Sequence, residues 1–349
     1  MTTTRASEVP ASGPTETRDS RVWVLDDPRA GTAAQAIGIA ERLGLPFRRI
    51  PLAWNWKAHI AGLVPGGSLI GIPAAARQAL AAEAARPDSA PDLVLSAGRR
   101  SAAVALWLKS QFGCRIVHCM SPGLGGLLRS DVFDLLVTPT HDNPTPARNV
   151  LPIMGAPHRV TPLTLKQAAA AWEDRLSHLP RPRVALLVGG PPGGINMPPV
   201  RAMMVGKQVA RLAGAQGGTV LATTSRRTGG EATEALSAGL ARVMHLLFRW
   251  GEPGPNPYLG FLATADAIVV TADSVSMISE ACATGAPVFY VVPEQAGRRQ
   301  QRFIDRFEAA GLIRPLEDSI APWPRRVLDE SARVADEIRQ RFGLPGTTM

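Results

Sequence analysis

Apolar segments that read as buried strands alternate with helical segments along most of this chain. RVWVLDD (21–27) precedes a helix through AAQAIGIAERLG, and PDLVLSAG (91–98) precedes the helix RRSAAVALWLKSQFG. Strands that alternate with helices form parallel βαβ units. The alternation therefore predicts an α/β fold with parallel sheets.

The alternation is interrupted once and then resumes, which predicts two Rossmann-like domains in a chain of 349 residues. The predicted order is a disordered polar tail (1–20), an N-terminal domain (21–160), an interdomain segment (161–182), a C-terminal nucleotide-binding domain (183–322) and a final helix (323–349). We expect the final helix to pack back toward the first domain. Two such domains place a ligand cleft between the carboxyl ends of their strands.

The composition indicates a globular cytoplasmic protein. No apolar run reaches 18 residues, and the N-terminus lacks an apolar signal segment. Cys114, Cys119 and Cys282 fit neither a disulfide framework nor a zinc site, so we expect buried thiols.

The net charge of +9 favours an anionic partner, either a phosphorylated ligand or an anionic membrane surface. Aromatic residues make up 5 % of the chain and do not alternate with basic runs, so nucleic acid is the least favoured partner. Basic residues that only keep the protein soluble are the alternative explanation.

Two loops that follow strands in the second half carry glycines and arginines. Glycines let a backbone approach a ligand, and an arginine at a helix start suits a diphosphate. Thr228 and Glu231 have the spacing of a capping box. The predicted binding residues here are Gly189, Gly190, Ser225, Arg226, Arg227 and Thr228. A tight turn and surface ion pairs remain the alternatives.

The stretch VVTADSVSMISEACATGAPVFYVV (269–292) reads as strand, helix and strand. Asp273 or Ser274 can cap the helix, and Ser276 and Glu280 share one helical face. Glu280 is then placed to accept hydrogen bonds from two ribose hydroxyls. A capped surface helix with a solvated Glu is the alternative.

In the first half, the loops DDPRAGTAAQ and SAGRR also follow strands. They predict an anion-preferring face on the first domain's side of the cleft, which is the acceptor side if the protein transfers a group. Its residues are Arg29, Gly31, Gln35, Gly98, Arg99 and Arg100.

Candidates for a catalytic base follow two strands of the first half: Asp27, beside Asp26, and the pair His141 and Asp142. Turn-forming aspartates and a histidine with an ordinary polar role remain the alternatives.

The segment RRIPLAWNWKAHIAGLVPGG (48–67) combines aromatic, cationic and apolar residues. Trp54, Trp56 and Lys57 suit an anionic membrane surface, which predicts a peripheral position at a membrane. Core packing is the alternative.

Glu280, followed by Gly285 and Pro287, resembles the nucleotide-sugar site of GT-B glycosyltransferases, including MurG-type lipid II synthases. In those proteins an equivalent Glu binds the donor ribose. This chain departs from them where MurG-like proteins have glycines, because it carries Asp273 and Ser274.

From about residue 22 onward, the chain carries the motifs WVLDDPRAGTAAQ, SAGRR, FDLLVTPTHDNP, NVLPIMGAPHRV, LVGGP, TTSRRT, NPY and TADSVSMISEA. With these motifs, nearly the whole chain looks like the mitochondrial-fission "elongated mitochondria" family of plants and bacteria. The resemblance implies two Rossmann-like domains in GT-B arrangement. Plant members are implicated in recruiting a dynamin-related protein, which implies a protein partner as one option.

The leading functional hypothesis is a metal-independent GT-B protein, without a cofactor, that binds a nucleotide-sugar and transfers the sugar to a lipid or glycan. Two alternatives stay open on the same fold. One is a non-enzymatic scaffold for a protein or membrane, and the other is a nucleotide-sugar 2-epimerase.

Overall fold

The structure is a computed structural model that describes residues 21–61, 63, 66–86, 90–128, 130–191, 196–292 and 297–345. It consists of two compact units. The first unit contains the described residues up to Arg159 together with those from Asp329 onward, and the second unit is Val160–Leu328. The predicted tail 1–20 lies outside the described residues.

The first unit is built on a six-stranded parallel sheet in the order β2-β1-β3-β4-β5-β6. Its elements up to residue 159 are β1 (Val22–Asp26), α1 (Ala30–Leu43), β2 (Arg48–Pro51), α2 (Ala58–Ala61), α3 (Ala74–Ala84), β3 (Leu93–Ala97), α4 (Arg99–Phe112), β4 (Arg115–Cys119), α5 (Gly123–Leu127), β5 (Leu135–Pro139) and β6 (Val150–Ile153). Two 3₁₀ turns, Ser130–Val132 and Thr140–Asp142, flank β5.

The second unit has a six-stranded parallel sheet in the order β12-β11-β10-β7-β8-β9. Its elements are α6 (Pro162–Leu176), β7 (Arg183–Val188), α7 (Pro199–Gly214), β8 (Thr219–Thr224), α8 (Gly230–Leu240), β9 (Met244–Phe248), α9 (Tyr258–Thr264), β10 (Ala267–Thr271), α10 (Val275–Cys282), β11 (Val288–Val291), α11 (Arg298–Ala309) and β12 (Arg314–Pro315). Helix α12 (Glu330–Phe342) then completes the first unit.

Both sheets are buried on two faces, as the near-continuous apolar strands predict. In the first sheet, Val24 packs on the side of α1 and α12, whereas its neighbour Trp23 packs on the side of α3 and α4. Successive strand residues point to opposite faces, so one apolar strand supplies both cores. Ile338 of α12 belongs to the same core as Ile37 of α1.

Two segments differ from their predicted roles. Residues 161–182 were assigned between the domains, but α6 is grouped with the second unit and packs on α9, where Trp172 contacts Gly260 and Phe261. The final helix was predicted over 323–349, but α12 begins at Glu330, and Val327 lies before it and is 56 % exposed.

Each sheet has one point where the chain crosses to the opposite side. In the first sheet this point lies between β1 and β3, and in the second sheet between β7 and β10. The loops that leave two such strands diverge, so the carboxyl ends of the strands border an open crevice where ligands bind in α/β folds. The strand order of the second unit is that of dinucleotide-binding Rossmann folds.

Candidate functional site

The loop after β7 is hydrogen-bonded to the end of β10 and to the loop that follows it. The N–H of Gly189 donates to the Thr271 hydroxyl at 2.8 Å, and the N–H of Gly190 donates to the Asp273 carboxylate. A Cβ on Gly190 would lie 2.2 Å from the Arg227 carbonyl oxygen. The N–H groups of the predicted binding residues Gly189 and Gly190 therefore already bind acceptors of this chain and do not face a ligand anion.

Asp273 lies at the centre of this arrangement and is almost fully buried. Its Oδ2 lies 3.8 Å from a terminal nitrogen of Arg227, and its Oδ1 is buried without a hydrogen-bond partner. A carboxylate here repels a phosphate but accepts a hydrogen bond from a ligand hydroxyl. Asp273 therefore suits a sugar or ribose rather than a diphosphate.

The loop after β8 places one arginine in solvent and one threonine in the core. The hydroxyl of Thr228, which is fully buried, donates to the Gly189 carbonyl oxygen at 2.6 Å. Helix α8 starts at Gly230 with Gly229 as its N-cap and no side-chain cap, so the predicted capping box is wrong. Thr228 supports the loop instead of facing a ligand.

The other members of the β8 loop remain accessible. Arg226 is exposed and has no partner among the described residues, and Arg227 is half-buried. The Ser225 hydroxyl accepts the Arg227 N–H at 3.2 Å. Arg226 and the uncapped start of α8 together supply positive potential for an anion.

Helix α10 starts as the sequence predicts. Ser274 is the N-cap, and its hydroxyl accepts the Met277 N–H at 3.5 Å. Ser276 and Glu280 are half-buried, whereas Ser279 is buried and bonds to the Val275 carbonyl. The face with Ser276 and Glu280 is thus the accessible one.

Glu280 has a partner that the sequence reasoning did not identify. The Tyr258 hydroxyl donates to Glu280 Oε2 at 2.5 Å. Burial raises the pKa of Glu280 to about 7, although the Tyr258 hydrogen bond lowers it in part. Burial, and then the nearby Glu280 charge, raise the pKa of Tyr258 well above its usual value. Glu280 is therefore a carboxyl that gains and loses a proton near neutral pH.

The sequence carried a signal for this pair in the motif NPY. Asn256 accepts the Tyr258 N–H at 3.0 Å through its side-chain oxygen, and Pro257 is the N-cap of α9. These residues fix the start of α9 at the carboxyl edge of the sheet. No periodicity links Tyr258 to Glu280, which lies 22 residues further along the chain.

The carboxyl end of α10 is held by Arg325. Its guanidinium donates to the carbonyl oxygens of Cys282 at 3.0 Å and of Thr284 at 2.6 Å, and to that of Ala286 at 2.9 Å. A cation at this end also complements the helix dipole. Arg325 thereby fixes the helix that carries Glu280.

In the first unit, both carboxylate oxygens of the predicted base Asp27 already accept hydrogen bonds from neighbouring side chains. Asp27 is 2 % exposed and accepts from the Arg29 Nε at 2.8 Å, from its Nη2 at 2.9 Å and from the Trp54 Nε1 at 3.0 Å. Burial opposes ionisation, but the hydrogen bonds from Arg29 and Trp54 hold the pKa of Asp27 below its usual value. Asp27 is therefore an anchor for Arg29, and its full set of hydrogen bonds disfavours it as a catalytic base. Its neighbour Asp26 pairs with Arg49 at 2.8 Å.

The second pair of catalytic candidates is also partly enclosed. His141 is 1 % exposed within the 3₁₀ turn after β5, and its Nε2 lies 3.8 Å from Asp142. A buried imidazole does not reach an acceptor hydroxyl, so the structure disfavours His141 as a base. Asp142 is half-buried.

The three cysteines are free and buried, as predicted. Burial raises the pKa of Cys114 to about 11 and those of Cys119 and Cys282 to about 12. A thiol that stays protonated is a poor nucleophile.

The tryptophans of the first unit differ in exposure. Trp54 is half-buried and bonded to Asp27, whereas Trp56 is 73 % exposed with the Lys57 ammonium 5.2 Å from its ring centre.

None of the described helices combines the length and apolarity needed to cross a bilayer. Within the same described residues, no three His, Cys, Asp or Glu side chains converge as a metal site.

Two Rossmann-like units, the second with a carboxylate-bearing helix at its switch point, define a protein of the GT-B fold. The chain is similar in structure to UDP-GlcNAc 2-epimerase from Neisseria meningitidis, with a TM-score of 0.51 and 14 % identity over 92 % of this chain and 99 % of that one. The family model described as Mitochondrial fission ELM1 matches residues 30–342, and this chain belongs to that family.

Two curated relatives are similar in sequence. The mitochondrial fission protein ELM1 of Arabidopsis thaliana is 28 % identical over 289 residues, which cover 74 % of this chain and 66 % of the plant protein. The match thus spans just under two thirds of the plant relative. The uncharacterized protein RP120 of Rickettsia prowazekii is 25 % identical over 91 % of this chain and 97 % of its own length.

Proposed function

We propose that the second unit binds a nucleoside diphosphate-sugar at the carboxyl edge of β7 and β10. The observation that carries the proposal is the Glu280 carboxyl. Tyr258 holds its Oε2, whereas Oε1 has no partner in the described part of the chain. A ribose hydroxyl would donate to Oε1, in a hydrogen bond that ionisation of Glu280 strengthens.

The diphosphate would lie toward the loop after β8. Arg226 is exposed, and the first N–H groups of α8 have no side-chain cap. A helix N-terminus with an adjacent guanidinium binds phosphate without a metal ion. Asp273 Oδ1, which is buried and unpartnered, would accept a hydroxyl of the sugar.

The structural comparison supports this class of ligand at the level of the fold. The Neisseria epimerase structure is described as bound to UDP-GlcNAc. Because one fold hosts many functions, the proposal rests on Glu280 and its surroundings, and the fold only agrees with it.

The reaction that we propose is transfer of the sugar to a lipid or glycan acceptor. Epimerisation is less favoured, because it needs several carboxylates around the sugar. Glu280 and Asp273 are the acidic side chains that the described site offers, and Asp273 already holds Gly190. A scaffold role would show as ligand binding without turnover.

Calorimetry with UDP, ADP, GDP and UDP-GlcNAc tests the proposal. We expect one ligand to bind, and Glu280→Gln to weaken it by about tenfold, the equivalent of one charged hydrogen bond. The matched control Glu173→Gln removes an exposed carboxylate on α6 and leaves affinity unchanged. Absence of binding at millimolar ligand contradicts the proposal.

A 2′,3′-dideoxy analogue of the bound nucleotide locates the contact. If Glu280 binds ribose, the analogue binds more weakly than the parent to the wild type, and equally weakly to the wild type and to Glu280→Gln. An effect of Glu280→Gln that persists with the dideoxy compound would show that Glu280 does not bind ribose.

A second candidate function is attachment to an anionic membrane surface. Trp56 is 73 % exposed beside the Lys57 cation, and Leu63 in the same segment is 58 % exposed. An exposed ring and a cation suit an interface of anionic lipids. We expect Trp56→Ala to reduce co-sedimentation with anionic vesicles. Trp250 of the second unit is 60 % exposed, and we expect Trp250→Ala to have no effect. Unchanged co-sedimentation of Trp56→Ala would remove this candidate.

A further inference from the structure

The carboxyl edge of β1 and β3 in the first unit holds a group of cations that the chain does not neutralise. Arg99 is exposed and Arg100 half-buried at the start of α4, and neither has a partner among the described residues. The cap residue Gly98 supplies no side-chain hydrogen bond. The hydroxyl of Ser101 turns to the Gly98 carbonyl at 2.9 Å, so it does not cap the free N–H groups either.

Arg29 is fixed so that it faces this helix start. Three hydrogen bonds run from Arg29 to the buried Asp27, and they use its N–H, Nε and Nη2. A Cβ on Gly98 would lie 3.5 Å from the Arg29 Nη2 and 3.1 Å from Thr32. The guanidinium therefore rests over the α4 N-terminus, and its Nη1 has no partner in the described structure.

A buried acceptor without a donor lies beside the same point. Gln35 is 4 % exposed; its Nε2 donates to the Gly31 carbonyl and contacts the Met120 Sδ, both at 3.3 Å. Its Oε1 is buried and has no hydrogen-bond partner. Met120 directly follows Cys119, whose carbonyl accepts the Gly98 N–H at 3.0 Å. The Met120 side chain that Gln35 contacts therefore belongs to the residue after the one that holds Gly98, the N-cap of α4.

The backbone at this edge is strained as well. Met120 has a φ of +74° although it is not glycine. Such a conformation costs about 1–3 kcal/mol and persists where the surrounding structure requires it, often at ligand sites. Here it brings the Met120 Sδ against the Gln35 amide.

We propose that this edge of the first unit binds a phosphorylated molecule that also carries a hydroxyl group. The phosphate would lie at the α4 N-terminus among Arg29, Arg99 and Arg100, and the hydroxyl would donate to Gln35 Oε1. Neither part of the ligand alone satisfies both the cations and the buried acceptor. This site does not depend on nucleotide-sugar binding by the second unit.

Two sources supply this chemistry, a soluble polyol phosphate and the headgroup of a phosphoglycerol lipid. Calorimetry at low salt with glycerol phosphate, inorganic phosphate and glycerol tests the soluble source. Co-sedimentation with phosphatidylglycerol or phosphatidylcholine vesicles tests the lipid source. We expect glycerol phosphate to bind about tenfold more tightly than inorganic phosphate, or phosphatidylglycerol vesicles to bind in preference to phosphatidylcholine.

Three variants with a control make the test specific. Arg99→Met and Arg100→Met each weaken binding of both phosphate compounds by about tenfold. Gln35→Met reduces the affinity for glycerol phosphate to that of inorganic phosphate and leaves the latter unchanged. Arg242→Met, which removes an exposed arginine between α8 and β9 of the second unit, serves as the control without effect.

For the lipid source, Arg99→Met, Arg100→Met and Gln35→Met must each lower binding to phosphatidylglycerol vesicles. These substitutions leave the buried Asp27–Arg29 pair intact, and circular dichroism of each variant verifies its folding. The proposal is overturned if no phosphate compound or vesicle binds the wild type, or if binding is the same in these three variants.

Discussion

The effect of Glu280→Gln on the free energy of unfolding tests whether Glu280 is an enclosed carboxyl with a raised pKa. The pKa of Glu280 rises from its ordinary value of 4.5 to about 7 on folding, with burial as the main cause. One pKa unit corresponds to about 1.4 kcal/mol. The difference between the two pKa values therefore represents about 3 kcal/mol at most, and solvent access to the half-buried carboxyl reduces it to about 1–3 kcal/mol.

The direction follows from which state holds the proton more tightly. Folded protein binds the Glu280 proton more strongly than the unfolded chain, so the stabilisation is complete below about pH 4.5 and is lost as the pH rises through about 7. Glutamine imitates the protonated carboxyl and does not ionise. The variant should therefore match the wild type near pH 4.5 and exceed its free energy of unfolding by about 1–3 kcal/mol at pH 8.

Urea unfolding of both proteins between pH 4.5 and 8 measures this difference, because other titrating groups cancel between them. Glu173→Gln on α6 is the matched control, since it replaces an exposed carboxylate instead of the enclosed one. A difference between Glu280→Gln and wild type that does not change with pH would refute the assignment of a buried, ionisable carboxyl to this site.

Three further predictions concern the elements that support the two edges. Gly190→Ala places a Cβ 2.2 Å from a backbone oxygen and should lower the free energy of unfolding by about 1–3 kcal/mol in urea, whereas Gly230→Ala, with open space around it, changes it by less than about 1 kcal/mol. Arg325→Met should lower it by about 3 kcal/mol and speed amide exchange at the end of α10; unchanged exchange would contradict its anchoring role. Trp54→Phe removes a hydrogen bond to Asp27, so an NMR titration should show a higher Asp27 pKa, and acid unfolding should begin at a higher pH.

Much of the fold could be predicted because its signals are local. The apolar strands, the helix after each of them and the Ser274 cap all follow from residues close together in the chain. The family also followed from motifs spread over most of the length, and the match to residues 30–342 confirms it. The assignment of residues 161–182 could not be predicted from local signals. Helix α6 belongs to the second unit because Trp172 packs on α9, a contact between distant segments.

The candidate site was predictable in place but not in detail. The sequence located Gly190, Asp273 and Glu280 after the correct strands. It did not show that Asp273 takes the Gly190 N–H, nor that Tyr258 takes one oxygen of Glu280. Each of these hydrogen bonds joins two separate elements. The periodicity of a sequence does not predict which side chains of different elements come into contact.

The sequence by itself determined two parallel α/β units, their family, and the edges at which polar residues gather, because strand and helix periodicity and loop composition act over short stretches. Only the tertiary structure decided which polar groups are satisfied by the chain and which stay open. Asp27 and Thr228 make hydrogen bonds within the chain, whereas Glu280 Oε1 and Gln35 Oε1 have no partner among the described residues. Burial and hydrogen-bond partners determine whether a side chain is charged and whether a ligand can bind it. Both arise only when distant segments pack together.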